Sequence, residues 1–432
     1  MINALLLLLA FAFAHRSSAA GPLELSVSVP PAAIDVGGTT HLVYELYLAS
    51  GAADVWLRQV EILASTQPQR RIARYTGAEL AGMVGTPSGE QATRIPRNQR
   101  TILYFWIPLA DAAEVPDSLH HRITVAANGD AARTSVVEGG ATRVRQRVPV
   151  RLGPPLEGGP WVAVYDPGLQ RGHRRVLFHN EPGTGHIPAR FAIDWVRIDR
   201  EGRRARADGN IVSNHYGYGA AVLAVADARV VAARDGVAER QTLVHVAHGP
   251  DLASGNYITL DLGHGQYVSY EHLLTGSVRV AVGDAVRRVQ LIARLGFSGD
   301  GASPHLHMHV SDGATPLRGE GVPWALEQFE LLGVYPDLGA VFAGRPWLPA
   351  DSSQPRVRRQ QLPAPNVVVG FPTAISAHLG EIAAIANVTP LPSAAASDVD
   401  EQPATPVATT LADAGRQVGL QQQGQRRAQR RP

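Results

Sequence analysis

Gly299-Asp300-Gly301-Ala302-Ser303-Pro304-His305-Leu306-His307-Met308-His309-Val310 is the stretch around which the rest of the chain can be read. Successive side chains on a β-strand point to opposite faces, so His305, His307 and His309 share one face. Leu306, Met308 and Val310 share the other, which suits a core. Imidazoles fill a core poorly, and their usual employment is metal ligation or proton transfer. Three surface histidines on an edge strand are the plain alternative. The Gly, Ser and Pro residues ahead of the histidines are loop and turn formers that bring the strand's start to a surface.

Outward from this stretch the chain reads as β throughout. Leu23, Leu25, Val27 and Val29 alternate with polar residues, and further strand patterns cover 42–48, 55–63, 101–109 and 122–127. With Gly- and Ala-rich turns between them, they predict an Ig-like β-sandwich over residues 22–150. Residues 150–160, rich in Pro and Gly, read as a linker. More strands follow at 175–179, 191–198, 221–226, 230–234, 257–262, 267–270 and 286–295, and 320–333 reads as a short helix. A second, small antiparallel-β domain is therefore expected over 161–345. From residue 372 the composition turns to Ala, Ser, Thr, Pro and Gln, which predicts a disordered tail over 372–432.

Composition narrows the chemistry. The 432 residues contain no cysteine, so any metal must be held by His, Asp or Glu. All 40 basic residues are Arg and the net charge is +2, too small for an electrostatic footprint on nucleic acid. Residues 4–14 are an apolar run too short to span a bilayer, and Ser18-Ala19-Ala20 follows with small residues suited to cleavage. Residues 1–20 are thus expected to be a signal peptide. The mature chain is then periplasmic or extracellular, with no membrane span.

Two other positions stand out. Asp194 interrupts the apolar strand that begins Phe191-Ala192-Ile193, a costly place for a carboxylate unless it is paired or ligating. His272 ends a strand in Tyr270-Glu271-His272-Leu273.

Tyr270-x-His272-Leu273, followed by Pro304-His305-Leu306-His307, resembles the lysostaphin/LytM-type zinc metallopeptidases. The runs Gly283-Asp284-Ala285-Val286 and Gly296-Phe297-Ser298-Gly299 resemble that family's strand and glycine loop, and Ala220 to Ala224 before Asp227 resembles the strand after its first metal motif. The likeness covers about Gly185 to Val310. It implies a small antiparallel β fold with a groove, one Zn²⁺, and cleavage of peptide bonds in bacterial peptidoglycan. Position by position, it makes Asp194 and His307 zinc ligands and His305 and His272 the catalytic pair. From the residues themselves, Tyr216 and Tyr218 are candidate aromatic walls for a glycan or peptide, or else ordinary turn packing, and Tyr270 is a further candidate substrate contact.

The first metal motif departs from the family. His-x-x-x-Asp is expected, but Arg190 stands four residues before Asp194. Guanidinium has no lone pair to give. Either another histidine supplies the donor, or the chain is a degenerate module that binds peptidoglycan or activates a partner hydrolase. His173, His179 and His186 compete for the place. A hairpin centred between Gly183 and Thr184 would set His173 opposite Asp194. His173 is thus the expected third metal ligand, with His186 second.

Overall fold

The computed structural model describes residues 22–85, 93–127, 133–146, 148–170, 172–181, 184–244 and 248–373. The signal peptide expected over 1–20 lies outside these residues, as does the tail beyond 373. The chain divides into two compact units: Met1–Val29, Glu45–Leu103 and Asp117–Arg143 form one, and Pro30–Tyr44, Tyr104–Pro116 and Val144–Pro432 form the other. The units interleave in sequence, whereas the sequence reading placed a single cut between 150 and 161. No helix among the described residues is long and apolar enough to cross a membrane.

The protein is mostly β, as its alternating patterns predict. In the first unit, strands Thr134–Arg143, Ser118–Ala127, Val55–Ala64 and Gln67–Thr76 lie side by side in an antiparallel sheet. Its interior strand buries His121 completely. Burial pushes the His121 imidazole down from 6.5 to about 4. The unfolded chain takes up that proton near 6.5 while the folded chain refuses it until about 4. Stability from this group is complete above the upper value and is lost as pH falls through the window. We expect this unit to lose about 3 kcal/mol between pH 7 and 4. Urea midpoints should show the loss, and His121→Leu should flatten it.

The second unit is built on a twelve-stranded sheet, antiparallel except where Val150–Leu152 runs parallel to Trp324–Val334. Two sequence expectations fail here. The supposed linker enters the sheet, and Leu152 and Leu156 are fully buried in the core. The supposed helix over 320–333 is the strand Trp324–Val334, which buries Trp324, Leu326 and Phe329. Its residues are hydrogen-bonded between Val367–Phe371 and Val357–Gln361. The sheet therefore continues to Phe371, past the expected end at 345.

At the centre of the sheet lies the histidine strand, Leu306–Ser311, between Ile193–Arg197 and Tyr267–Leu273. Leu306, Met308 and Val310 are completely buried on the core face. A large apolar cluster including Trp161, Trp195, Ile258 and Tyr270 packs with them. The strand is thus held rigidly from one side, which is what a site on its other side requires.

Candidate metal centre

Register brings the acidic and imidazole groups together. His307 pairs with Asp194 on one side and with Glu271 on the other. Directly opposed residues share a face, so Asp194, His307 and Glu271 form a row across three strands. His305 and His309 flank His307 on that face. His272 follows Glu271 and by strict alternation would point into the core. It has a left-handed backbone instead, φ 62°, and its N–H bonds Ser254 O at 3.1 Å. This kink returns the imidazole to the site, where its ring lies 4.8 Å from that of His305 and 6.0 Å from that of His307. The incoming loop is equally constrained: Gly299 has φ 73°, and a Cβ there would stand 2.4 Å from Ala253 O. Only glycine tolerates both.

His173 reaches the same place by a route the sequence did not foretell. It opens a 3₁₀ turn, His173–Arg175, and is not on a strand. The hairpin does exist, but its register is Phe178↔His186 and His179↔Gly185, three positions off the expected one. Asp194 pairs with His307 and Val164. Nevertheless His173 Nε2 lies 3.3 Å from Asp194 Oδ2, and its ring meets that of His307 edge-on at 4.7 Å. His186 turns elsewhere, with Nε2 3.1 Å from Leu317 O.

Arg190 is buried and held by a carboxylate outside the donor set. Its Nη2 lies 2.9 Å from Glu320 Oε2. That ion pair neutralises the one cation whose position in the first motif conflicts with a metal.

Hydrogen bonds fix the imidazoles. His305 Nδ1 lies 2.7 Å from Ser303 O, and His272 Nδ1 lies 2.9 Å from Ser298 O. Carbonyls only accept, so both Nδ1 atoms carry protons and both Nε2 atoms keep a lone pair. His305 Nε2 stands 3.5 Å from Asp194 Oδ1. Burial alone would raise the Asp194 carboxyl, but His173, His305 and His307 hold it far below the usual carboxylate range. His173 is pushed down to about 4, chiefly by burial against the pull of Asp194. His272 goes down to about 3, by burial and then by the neighbouring His305. His307 goes the other way: burial lowers its imidazole, but the Glu271 and Asp194 carboxylates raise it further, so a cation there must displace its proton.

His173, Asp194 and His307 offer ligand atoms that all lie within 4.8 Å of one another. Tetrahedral zinc with bonds of about 2.0–2.1 Å spaces its ligands about 3.3 Å apart. The His173–Asp194 separation of 3.3 Å matches this, and His307 Nδ1 is 2.8 Å from Asp194 Oδ1. The donor set of two imidazoles and one carboxylate fits zinc, and the chain has no thiolate to compete.

A cavity of about 450 Å³ opens on these groups, with His173, Asp194, His272 and His305 in its wall. Its aromatic surfaces are Trp106, Tyr165 and Phe342. The tyrosines expected there are placed differently. The Tyr216 hydroxyl donates to Asp199 at 3.0 Å and that of Tyr218 to Glu239 at 3.0 Å, and neither lines the cavity. Tyr270 is completely buried on the core face, where its hydroxyl accepts the Val225 N–H at 2.9 Å. It is a core residue because its strand position precedes Glu271 on the opposite face. Tyr270→Phe should leave that N–H unpaired and cost about 1–3 kcal/mol in a denaturation experiment. It should not change KM for any substrate.

Of two further residues at the centre, His309 shares the face that the alternation predicts, and Glu271 was not singled out in the sequence. Glu271 is buried directly beside His307, and His309 lies beneath it with its ring 5.3 Å from that of His307. The alternation that placed His305 and His307 placed His309 as well. Glu271 had the signal of an acidic residue adjoining His272 within a strand pattern.

Residues 212–318 match the model of peptidase family M23. The match contains His272, His305 and His307, while Asp194 and His173 precede it. No curated protein matches the chain. Among solved structures, a variant catalytic domain of the prophage-encoded M23 protein EnpA from Enterococcus faecalis is similar at 18% identity. That alignment covers 39% of this chain and 92% of the other, with a TM-score of 0.24. The catalytic domain of the antimicrobial peptidase lysostaphin from Staphylococcus simulans is similar at 20% identity over 36% of this chain and 80% of its own, TM-score 0.19. A zinc-containing peptidase from Vibrio cholerae is similar at 14% identity over 70% and 83% respectively, TM-score 0.21. The resemblance read from the sequence is thus met by a match to the model of peptidase family M23 over residues 212–318.

Proposed function

We propose that the second unit is a zinc-dependent endopeptidase that hydrolyses peptide bonds of bacterial cell-wall peptidoglycan, working outside the cytoplasm after export. The observation that carries this reading is His173 beside Asp194, a donor that stands in for the missing motif histidine. The degenerate alternative drew its support from Arg190, which is occupied by Glu320.

Zinc held by His173, Asp194 and His307 would polarise the scissile carbonyl and make water acidic enough to attack at neutral pH. The chain's own residues handle the rest. His305 Nε2 has the free lone pair and the position to take the proton from the attacking water. His305 then delivers that proton to the leaving amine, and His272 Nε2, on the same side, accepts a hydrogen bond from the water and so orients it for attack. The Ser303 and Ser298 carbonyls keep each ring in the tautomer this requires. Trp106, Tyr165 and Phe342 offer apolar contact along the cavity for an extended peptide.

The test is metal analysis of the purified mature chain together with peptide release from peptidoglycan sacculi. Zinc and new amino termini are expected, both lost after chelation and both restored by zinc. A chain that binds zinc but releases no peptide would leave only the binding-module reading.

A further inference from the structure

A second group of donors lies behind the first. Glu271, His307 and His309 bring one ligand atom each into a compact, buried triangle. His309 Nδ1 is 3.2 Å from Glu271 Oε1 and 3.3 Å from His307 Nε2, and His307 Nε2 is 3.7 Å from Glu271 Oε1. These edges span the roughly 3.3 Å separation of ligands on a tetrahedral ion with bonds of about 2.0–2.1 Å. A second observation points to a ligand. Glu271 Oε1 is buried and close to both imidazoles, yet none of them meets it in hydrogen-bond geometry. A buried carboxylate oxygen left in that condition is costly unless a cation completes it. A cavity of about 110 Å³, lined by Glu271, His307 and His309 with Pro250, Pro316 and Leu317, gives an ion and a water room to enter.

We propose that Glu271, His307 and His309 form a second binding position for a divalent transition metal, zinc first among them, which shares His307 with the outer trio. The outer trio uses Nδ1 of His307 and the inner trio uses Nε2. A neutral imidazole has one lone pair, so His307 serves one trio at a time. An ion in the inner position therefore deprives the outer trio of a ligand and leaves His305 and His272 with nothing to act beside. The inner position is a resting place for the metal. This inference rests on the zinc reading of the outer trio, since it supposes that the same ion exchanges between the two.

The experiment dismantles one trio at a time and counts zinc by mass spectrometry after dialysis. His173→Ala/Asp194→Asn removes two outer ligands and leaves the inner trio whole. This double variant is expected to keep zinc while losing hydrolysis. Adding His309→Ala to it should remove the zinc. A double variant as free of zinc as the triple one overturns the inner position and leaves the proposed function intact. Wild-type protein that takes up no zinc overturns both. Cobalt absorption gives an independent reading, because the double variant should show a visible spectrum distinct from that of the wild type. If the double variant does not fold, His173→Ala with and without His309→Ala serves, zinc being expected in the first and lost in the second, since His173 lies on a turn outside the sheet and is only partly buried.

Discussion

His305→Ala should abolish hydrolysis while zinc remains bound, and His307→Ala should lose both. The two residues are neighbours on one face of one strand, and their expected phenotypes differ because their nitrogens do different work. His305 Nδ1 is engaged with the Ser303 carbonyl and only Nε2 faces Asp194, at 3.5 Å. Neither ligand trio among the described residues includes it. Removing it takes away a proton acceptor, an effect of about 10²–10⁴ in kcat with little change in KM. His307 belongs to both trios, through Nδ1 on the Asp194 side and Nε2 on the Glu271 side. Its loss leaves no complete set of three donors on the strand. Zinc content separates the cases in one measurement. If both variants retain zinc and activity, the roles given to these histidines are wrong.

The site was largely legible from residues whose placement obeys local rules. Period-two alternation put His305, His307 and His309 on one face, and the same alternation gave the apolar anchor of Leu306, Met308 and Val310. Asp194 was visible because a lone carboxylate in an apolar strand demands a partner. Residues whose placement depends on a departure from regularity were harder. His272 reaches the site through a left-handed residue in mid-strand, which no periodicity announces. His173 was expected from a hairpin register that the structure moves by three positions, and it arrives by a 3₁₀ turn instead. Tyr270 was assigned to the substrate side although the alternation that exposes Glu271 to the site buries its neighbour. The strand Trp324–Val334 lies within the stretch 320–333 that reads as a short helix. Hydrogen bonds to strands some 30 or 40 residues further on decided it, and those are long-range pairings that local pattern does not encode.

Glu320→Gln should weaken both the fold and the metal site, although Glu320 touches no proposed ligand. Arg190 is buried, with only 4% of its side-chain surface exposed, and Glu320 is the carboxylate that meets it at 2.9 Å. Glutamine keeps an oxygen to accept the Ile187 N–H, which Glu320 accepts at 3.2 Å, so the variant removes charge and little else. A buried guanidinium without its counter-charge costs about 3–5 kcal/mol. It can lower that cost by moving toward another anion, and Asp194 lines the same cavity as Arg190. There it would compete with zinc. A unit charge about 4 Å from a divalent ion, at an effective dielectric near 20, raises the energy by about 8 kcal/mol. Full occupancy and that posture of Arg190 exclude each other. Two readouts follow: a lower denaturation midpoint, and a zinc dissociation constant raised at least tenfold. Arg190→Leu added to Glu320→Gln removes the stranded cation and should restore most of the zinc affinity. A single variant that binds zinc as tightly as the wild type would show that the ion pair has no part in keeping the site open for metal.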